Sequence, residues 1–110
     1  MGHAEHLKLV VTVPQTHADA VRRALGEAGA GRLGAYAFCS FSVLGVGRFL
    51  PQAGARPAVG EVGRAEEVAE ERIEVSCDRA QVAEVIRAVR AVHPYEEPVF
   101  DLYPLLELPA

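Results

Sequence analysis

The chain contains 110 residues, of which 50% are hydrophobic and 24% are charged. This composition is typical of a globular protein, excludes a disordered or collagen-like one, and predicts a single domain over residues 1–110. Eleven Lys and Arg residues against 15 Asp and Glu residues give a net charge of −4 at pH 7, with no basic run, so nucleic acid is not expected as a partner.

The first residues and the cysteines predict a cytoplasmic protein. Residues 1–6 lack the basic and then apolar segments of a signal peptide, so we interpret them as a short flexible start. The apolar stretches are far shorter than the ~20 residues that a membrane helix needs, so no membrane partner is expected. Two cysteines, Cys39 and Cys77, fit reduced thiols better than a disulfide framework.

The first elements are predicted to be a strand and a helix. Apolar residues alternate along residues 7–13, which is typical of a strand. Thr16 and Asp19 have the spacing of a capping box, so a helix is expected to begin at Thr16 and to end before Gly29 and Gly31. Its apolar face is formed by Val21, Ala24, Leu25 and Ala28.

The glycines after this helix match the spacing of a dinucleotide-binding fingerprint. Residues 29–34 read Gly-Ala-Gly-Arg-Leu-Gly. Such a fingerprint must follow a strand and open a helix, so that helix N–H groups point at the phosphates. Here the glycines close a helix and lead into a strand, which favours a structural turn.

The middle of the chain is predicted to hold one strand and one long loop. Aromatic and small residues over 33–43 predict the second strand, and residues 44–66 are rich in Gly and Pro, which predicts a loop with room for a short hairpin at 46–50. Loops of this length are usually functional or mobile. Two interpretations stay open: the loop contacts an anion through its arginines, or it packs on a neighbouring subunit. The arginines are Arg48, Arg56 and Arg64.

The second half repeats the strand and helix. Residues 73–77 alternate as a strand, and Asp78 and Gln81 repeat the capping-box spacing. Pro94 ends the helix after His93, and residues 99–103 form the last strand. The helix is marked by Val82, Val85, Ile86 and Val89. The order βαββαβ predicts an α+β fold, a ferredoxin-like sandwich with a long loop between its second and third strands.

Residues 93–98, His-Pro-Tyr-Glu-Glu-Pro, place an imidazole, a phenol and two carboxylates within one short segment. His93, Glu96 and Glu97 are candidate ligands for a divalent metal, and Cys39 and His17 would join them if the fold brings them close. Nitrogen, oxygen and sulfur together suit zinc and similar metals. The alternatives are a structural turn whose polar groups cap the helix and pair with Arg, or a catalytic pair of Cys39 and His93.

Six segments of the chain carry a resemblance to a known family: residues 13–18, 28–31, 34–36, 39–41, 60–63 and 93–98. Together they resemble the YqfO-type domain, which is inserted between the two metal-binding halves of the Nif-three-like dinuclear-metal family. The resemblance covers residues 7–105 and implies a standalone version of that insert, similar in fold to PII and CutA proteins. CutA has a His-Pro-Tyr-Glu-x-Pro turn like residues 93–98. Because the flanking halves are missing, the dinuclear site of the family is not carried over.

The leading hypothesis is a small non-enzymatic binding or regulatory module that assembles as a homo-oligomer. By analogy with PII and CutA a trimer is favoured, with a dimer as the alternative, and the ligand is a divalent metal such as zinc or a small anion. The competing hypotheses are an enzyme with a site centred on Cys39 and His93, and a purely structural oligomerisation domain.

Overall fold

A computed structural model describes residues 5–109. A single turn of 3-10 helix precedes each α-helix. The elements are β1 (His6–Pro14), α1 (Ala18–Glu27), β2 (Phe41–Phe49), β3 (Glu66–Asp78), α2 (Val82–Arg90) and β4 (Phe100–Pro104). This order confirms the predicted βαββαβ arrangement. No helix among the described residues is long and apolar enough to cross a membrane.

The four strands form one sheet in the order β2-β3-β1-β4, with every neighbouring pair antiparallel. This is the ferredoxin-like topology, so the predicted fold class is confirmed. β3 pairs with β1 only over residues 70–78, whereas β2 pairs with β3 over residues 66–74. β2 and β3 therefore extend beyond β1 at one end of the sheet. The molecule measures 52 × 32 × 22 Å.

The core lies between the helices and one face of the sheet. Side chains alternate across a strand, so β1 and β3 each send every second residue towards the helices. Leu9 and Val11 of β1 and Ile73 of β3 are fully buried there against Val21 of α1 and Val85 of α2. Among residues 5–109 no helix covers the opposite surface of the sheet, here called the open face.

The second strand begins later than its composition predicts. β2 starts at Phe41, so the prediction of a strand over residues 33–40 was wrong. Leu33 and Tyr36 close a turn through two backbone hydrogen bonds of 2.9 Å. Gly34 and Phe38 have φ values of 56° and 60°, which break the extended backbone that a strand requires.

The long loop is shorter than predicted. Residues 44–49 belong to β2 and pair with β3 rather than forming a hairpin at 46–50, so the connection, here called the β2–β3 loop, covers residues 50–65. Gly45 and Gly47 made this stretch resemble a loop in the sequence. Gly47 leaves room for Glu70, because a Cβ atom there would lie 2.2 Å from the Glu70 carboxylate and would force that side chain to move.

Both predicted capping boxes were wrong. The Thr16 hydroxyl lies 2.8 Å from Nδ1 of His17, and Asp78 pairs with Nδ1 of His6 at 2.9 Å. Neither side chain caps a helix, because a 3-10 turn shifts each helix start to a later residue. His6 also begins β1, and residues 1–4 of the predicted flexible start lie outside the described residues.

We expect Ile73→Ala to lower the free energy of unfolding by about 2–5 kcal/mol, because the truncation leaves a cavity in the core. Urea denaturation followed by circular dichroism measures this change. Leu106→Ala serves as the control, since the exposed Leu106 side chain should cost less than about 0.5 kcal/mol. Equal losses for the two variants would contradict the position assigned to Ile73.

Candidate functional site

A cleft of about 810 Å³ lies on the open face, where three segments meet. Its floor is the end of β2, where Gly45 and Gly47 expose the backbone, together with Glu70 and Arg72 of β3. One wall is the β2–β3 loop, and the other is the segment after α2, here called the α2–β4 turn (residues 93–98). The apolar lining includes Val43, Phe49, Leu50, Pro57, Val59 and Val99.

The α2–β4 turn is held by the buried imidazole of His93. Its Nε2 lies 2.8 Å from the carbonyl oxygen of Thr12, and its Nδ1 accepts a hydrogen bond of 3.1 Å from the backbone N–H of Tyr95. A carbonyl can only accept and an N–H can only donate, so these partners fix the neutral tautomer with its proton on Nε2. The residue is 7% exposed. His93 thus ties the turn to β1.

Tyr95 connects the turn to the floor of the cleft. Its hydroxyl donates a 2.7 Å hydrogen bond to Oε2 of Glu70, and its ring meets the ring of Phe49 edge-on, with centroids 5.7 Å apart. Burial raises the pKa of the Tyr95 phenol, and the hydrogen bond to Glu70 and the charge of that carboxylate raise it further. The phenol therefore stays protonated at neutral pH and acts as a donor.

The turn also holds the β2–β3 loop. The backbone N–H of Arg56 donates a 2.9 Å hydrogen bond to Oε1 of Glu96. At the base of the loop, the N–H of Gly63 donates to the carbonyl oxygen of the buried Pro51 at 2.8 Å. These two contacts position the loop as a wall of the cleft.

The structure brings together only part of the predicted metal-ligand set. His93, Glu96 and Glu97 share the α2–β4 turn, whereas His17 lies exposed in the 3-10 turn before α1, with its Nδ1 2.8 Å from the Thr16 hydroxyl. Cys39 lies in the α1–β2 connection and borders a different hollow of about 180 Å³. Within residues 5–109 no three His, Cys, Asp or Glu side chains are grouped to hold a metal. Metal binding by this set stays a prediction, and His93 would have to give up a hydrogen bond for it.

The predicted catalytic pair is not in contact. The ring nitrogens of His93 bond to Thr12 and Tyr95 rather than to Cys39. The sulfur of Cys39 lies 3.9 Å from the carbonyl oxygen of Ala37. Within residues 5–109, these contacts place no general base beside the Cys39 thiol.

Sequence reasoning missed Glu70. In the sequence it is one of five glutamates of β3, at positions 66, 67, 70, 71 and 74, and such a run of charge is typical of a solvated face. The available signal was the pair of glycines in the facing strand, since Gly45 lies directly opposite Glu70. Glycines in a strand often mark a close approach of another group.

Relatives of this chain align with nearly its whole length. No protein-family model matches. The chain is 51% identical over 108 residues to a GTP cyclohydrolase 1 type 2 homolog of Mycobacterium bovis, which covers 98% of this chain and 28% of that protein. It is 47% identical over 103 residues to the protein of the same name from Bacillus subtilis, covering 94% of this chain and 28% of that protein. The chain thus spans little more than a quarter of the length of these curated relatives.

Solved structures show the same fold. A Bacillus cereus protein related to NIF3 superposes with a TM-score of 0.81 and 46% identity, over 96% of this chain and 27% of that one. The periplasmic divalent cation tolerance protein CutA of Archaeoglobus fulgidus gives a TM-score of 0.66 and 22% identity, over 93% of this chain and 85% of that one. The first similarity is one of sequence and structure, and the second is one of fold.

We expect the stability of the protein to fall as the pH drops below about 6.5, in part through His93. Burial lowers the pKa of His93, while the hydrogen bond to Thr12 and the charge of Glu70 oppose this shift and His17 adds to it. The unfolded chain therefore takes up the proton at a higher pH than the folded one, and stability decreases until the pH reaches the folded pKa.

Thermal unfolding from pH 7.5 to pH 5 measures this slope. His93→Gln keeps a donor for Thr12 but cannot titrate, so its unfolding temperature should fall less steeply with acid than that of the parent protein. His17→Gln is the control, because it removes the smallest contributor to the shift and leaves His93 buried, so the steep fall with acid should remain. Parallel pH profiles for the parent and His93→Gln would contradict the assignment.

Proposed function

We propose that this chain is a small non-enzymatic binding or regulatory module whose ligand site is the cleft. The observation that carries the proposal is a hollow of about 810 Å³ with a mainly apolar lining and a few converging polar groups. This is the size and composition of small-molecule sites in proteins. A regulatory role is supported by the walls, since the β2–β3 loop is held to the α2–β4 turn through the contact of Arg56 with Glu96. A ligand between them would change that contact.

The chemistry of the cleft supports binding rather than catalysis. Tyr95 keeps its proton at neutral pH, because burial and the hydrogen bond to Glu70 raise its pKa. Arg72 is held by Glu74 at 3.0 Å. Both side chains are thus engaged within the chain, and the thiol of Cys39 lies at the other hollow.

The relatives support a role within a larger assembly of domains. The GTP cyclohydrolase 1 type 2 homologs contain this segment as about a quarter of their length. We propose that the segment supplies binding or regulation to such proteins, and we assign the activity in their name to none of its residues. A cytoplasmic location belongs to the same proposal and is supported by the free thiols of Cys39 and Cys77.

Self-association is the second part of the proposal, with a trimer favoured over a dimer. β2 is an edge strand whose apolar residues are exposed on both of its faces, including Phe41 and Val43 on one face and Leu44 and Val46 on the other. Exposed apolar residues on an edge strand favour association with another chain. A second copy of this chain is the occupant proposed for β2.

Filling the cleft should abolish ligand binding without unfolding the protein. In Gly45→Phe the new ring would occupy the cleft, and a Cβ atom at Gly45 meets nothing within 4 Å. We expect it to weaken binding of the neutral probe 2-phenylethanol at least about tenfold, as measured by changes in backbone amide NMR shifts at Gly47 and Tyr95. Ala69→Phe adds the same ring on the opposite face of β3 and should leave binding unchanged. Binding that survives Gly45→Phe would contradict the site.

We expect sedimentation equilibrium at micromolar concentration to give three times the 11.8 kDa protomer mass. Leu44→Glu should shift the protein towards the monomer, because it places a charge on the 59% exposed apolar surface of β2. Leu33→Glu, at a 72% exposed position outside β2, is the control and should keep the parent mass. A monomeric parent protein would refute self-association, and a mass of two protomers would refute the trimer.

A further inference from the structure

Glu70 is a carboxylate buried in the floor of the cleft with one oxygen still available. The residue is 8% exposed, and its Oε2 accepts the hydrogen bond from Tyr95. Among residues 5–109 no hydrogen bond reaches Oε1, yet no fully buried side-chain oxygen lacks a partner in this part of the chain. Oε1 therefore keeps contact with the cleft, which Glu70 lines. Oε1 can therefore accept a hydrogen bond from a group that enters the cleft.

The charge of Glu70 is not balanced by a neighbouring side chain. Over the described residues, no Lys, Arg or His nitrogen lies within 4.0 Å of its carboxylate oxygens. Arg48 and Arg72, which also line the cleft, already pair with Glu67 at 2.6 Å and with Glu74 at 3.0 Å. A carboxylate in apolar surroundings is costly unless an opposite charge or hydrogen-bond donors compensate it. A cation in the cleft would supply that compensation.

The groups around Glu70 suit an organic cation better than a hydrated one. The Tyr95 ring, whose hydroxyl bonds to Glu70, contacts the ring of Phe49, and both rings line the cleft. Aromatic rings attract an ammonium or guanidinium group. The space above Gly45 is empty, since no atom lies within 4 Å of a Cβ atom built there. Apolar side chains border this space, including Val43 and Leu50. The cleft thus has a carboxylate at one place in its floor and apolar side chains along the adjoining space.

We propose that the cleft binds a small organic cation, a protonated primary amine or guanidinium attached to an apolar or aromatic body. The charged group bonds to Oε1 of Glu70, and the body lies over Gly45 against the apolar lining. The carboxylates of Glu96 and Glu97 at the rim favour the same sign of charge. This inference rests on the cleft being the ligand site and adds the class of ligand.

The test compares three probes of one shape and different charge: 2-phenylethylamine, 2-phenylethanol and phenylacetate. Dissociation constants come from backbone amide NMR shifts of the full chain at pH 7. We expect the amine to bind about tenfold more tightly than the alcohol, because both can donate a hydrogen bond to the Glu70 carboxylate but only the amine brings a positive charge to it. Phenylacetate should bind more weakly than the alcohol.

Two variants assign the preference to Glu70. Glu70→Gln keeps the shape and an acceptor for Tyr95 but removes the charge, so the amine should bind no better than the alcohol. Glu84→Gln removes an exposed carboxylate from α2, where neither Glu84 nor its partner Arg87 lines the cleft, and should keep the preference for the amine. The amide spectrum of each variant without probe shows whether the sheet is intact. If Glu70→Gln fails to fold, the preference of the parent protein for the amine over the alcohol and phenylacetate decides the question.

The outcomes separate this inference from the proposed function. Binding of the alcohol and the amine with equal affinity would overturn the cation inference and keep the cleft as a ligand site. Preference for phenylacetate would overturn it in favour of an anion on Arg48 or Arg72. If none of the three probes shifts the amide signals of Gly47 and Tyr95, the cleft is not a ligand site, and both proposals are overturned.

Discussion

The two hydrogen bonds of the buried His93 ring are the constraint on which the cleft depends. One bond joins the ring to the backbone of Thr12 in β1, and the other fixes Tyr95 two residues further along the chain. Because Tyr95 is placed in this way, its hydroxyl reaches Glu70 on the open face. The next residue, Glu96, then meets the β2–β3 loop through Arg56. One side chain thus sets both the floor and a wall of the cleft.

The floor depends equally on what β2 lacks. Gly47 leaves the room in which the carboxylate of Glu70 lies, and Gly45 leaves the open space above it. Glycine ordinarily weakens a strand, because it loses more backbone entropy on ordering and adds no packing. An edge strand paired along its length with β3 tolerates that cost. The two glycines lower the stability of the strand and leave a cavity on the open face.

The comparisons separate the framework from the site. CutA of Archaeoglobus fulgidus shares the fold at 22% identity, and a fold alone does not carry a function. The B. cereus protein related to NIF3 shares 46% of the aligned residues as well as the fold. In this chain the cleft arises from side chains and glycines placed on the common sheet. The functional argument therefore depends on Glu70, Tyr95 and His93 and on the contacts among them.

The sequence by itself determined the ferredoxin-like fold and drew attention to the turn at residues 93–98. Alternating apolar residues in β1 and β3 and the helical spacing of Val85 and Val89 are local patterns, so they can be read without coordinates. The start of β2 could not be read in this way, because it depends on positive φ values at Gly34 and Phe38 that composition does not reveal.

Only the tertiary structure decided which groups share the cleft. Glu70 and Tyr95 are 25 positions apart in the chain, and His93 reaches Thr12 across 81 positions. His93 was predicted as a candidate ligand because an imidazole is a common one, but the structure engages both of its nitrogens within the chain. Residue type sets what a side chain can bond to. Which partner it meets is set by strand register and by the path of the turn, and these exist only once the sheet and the helices have packed together.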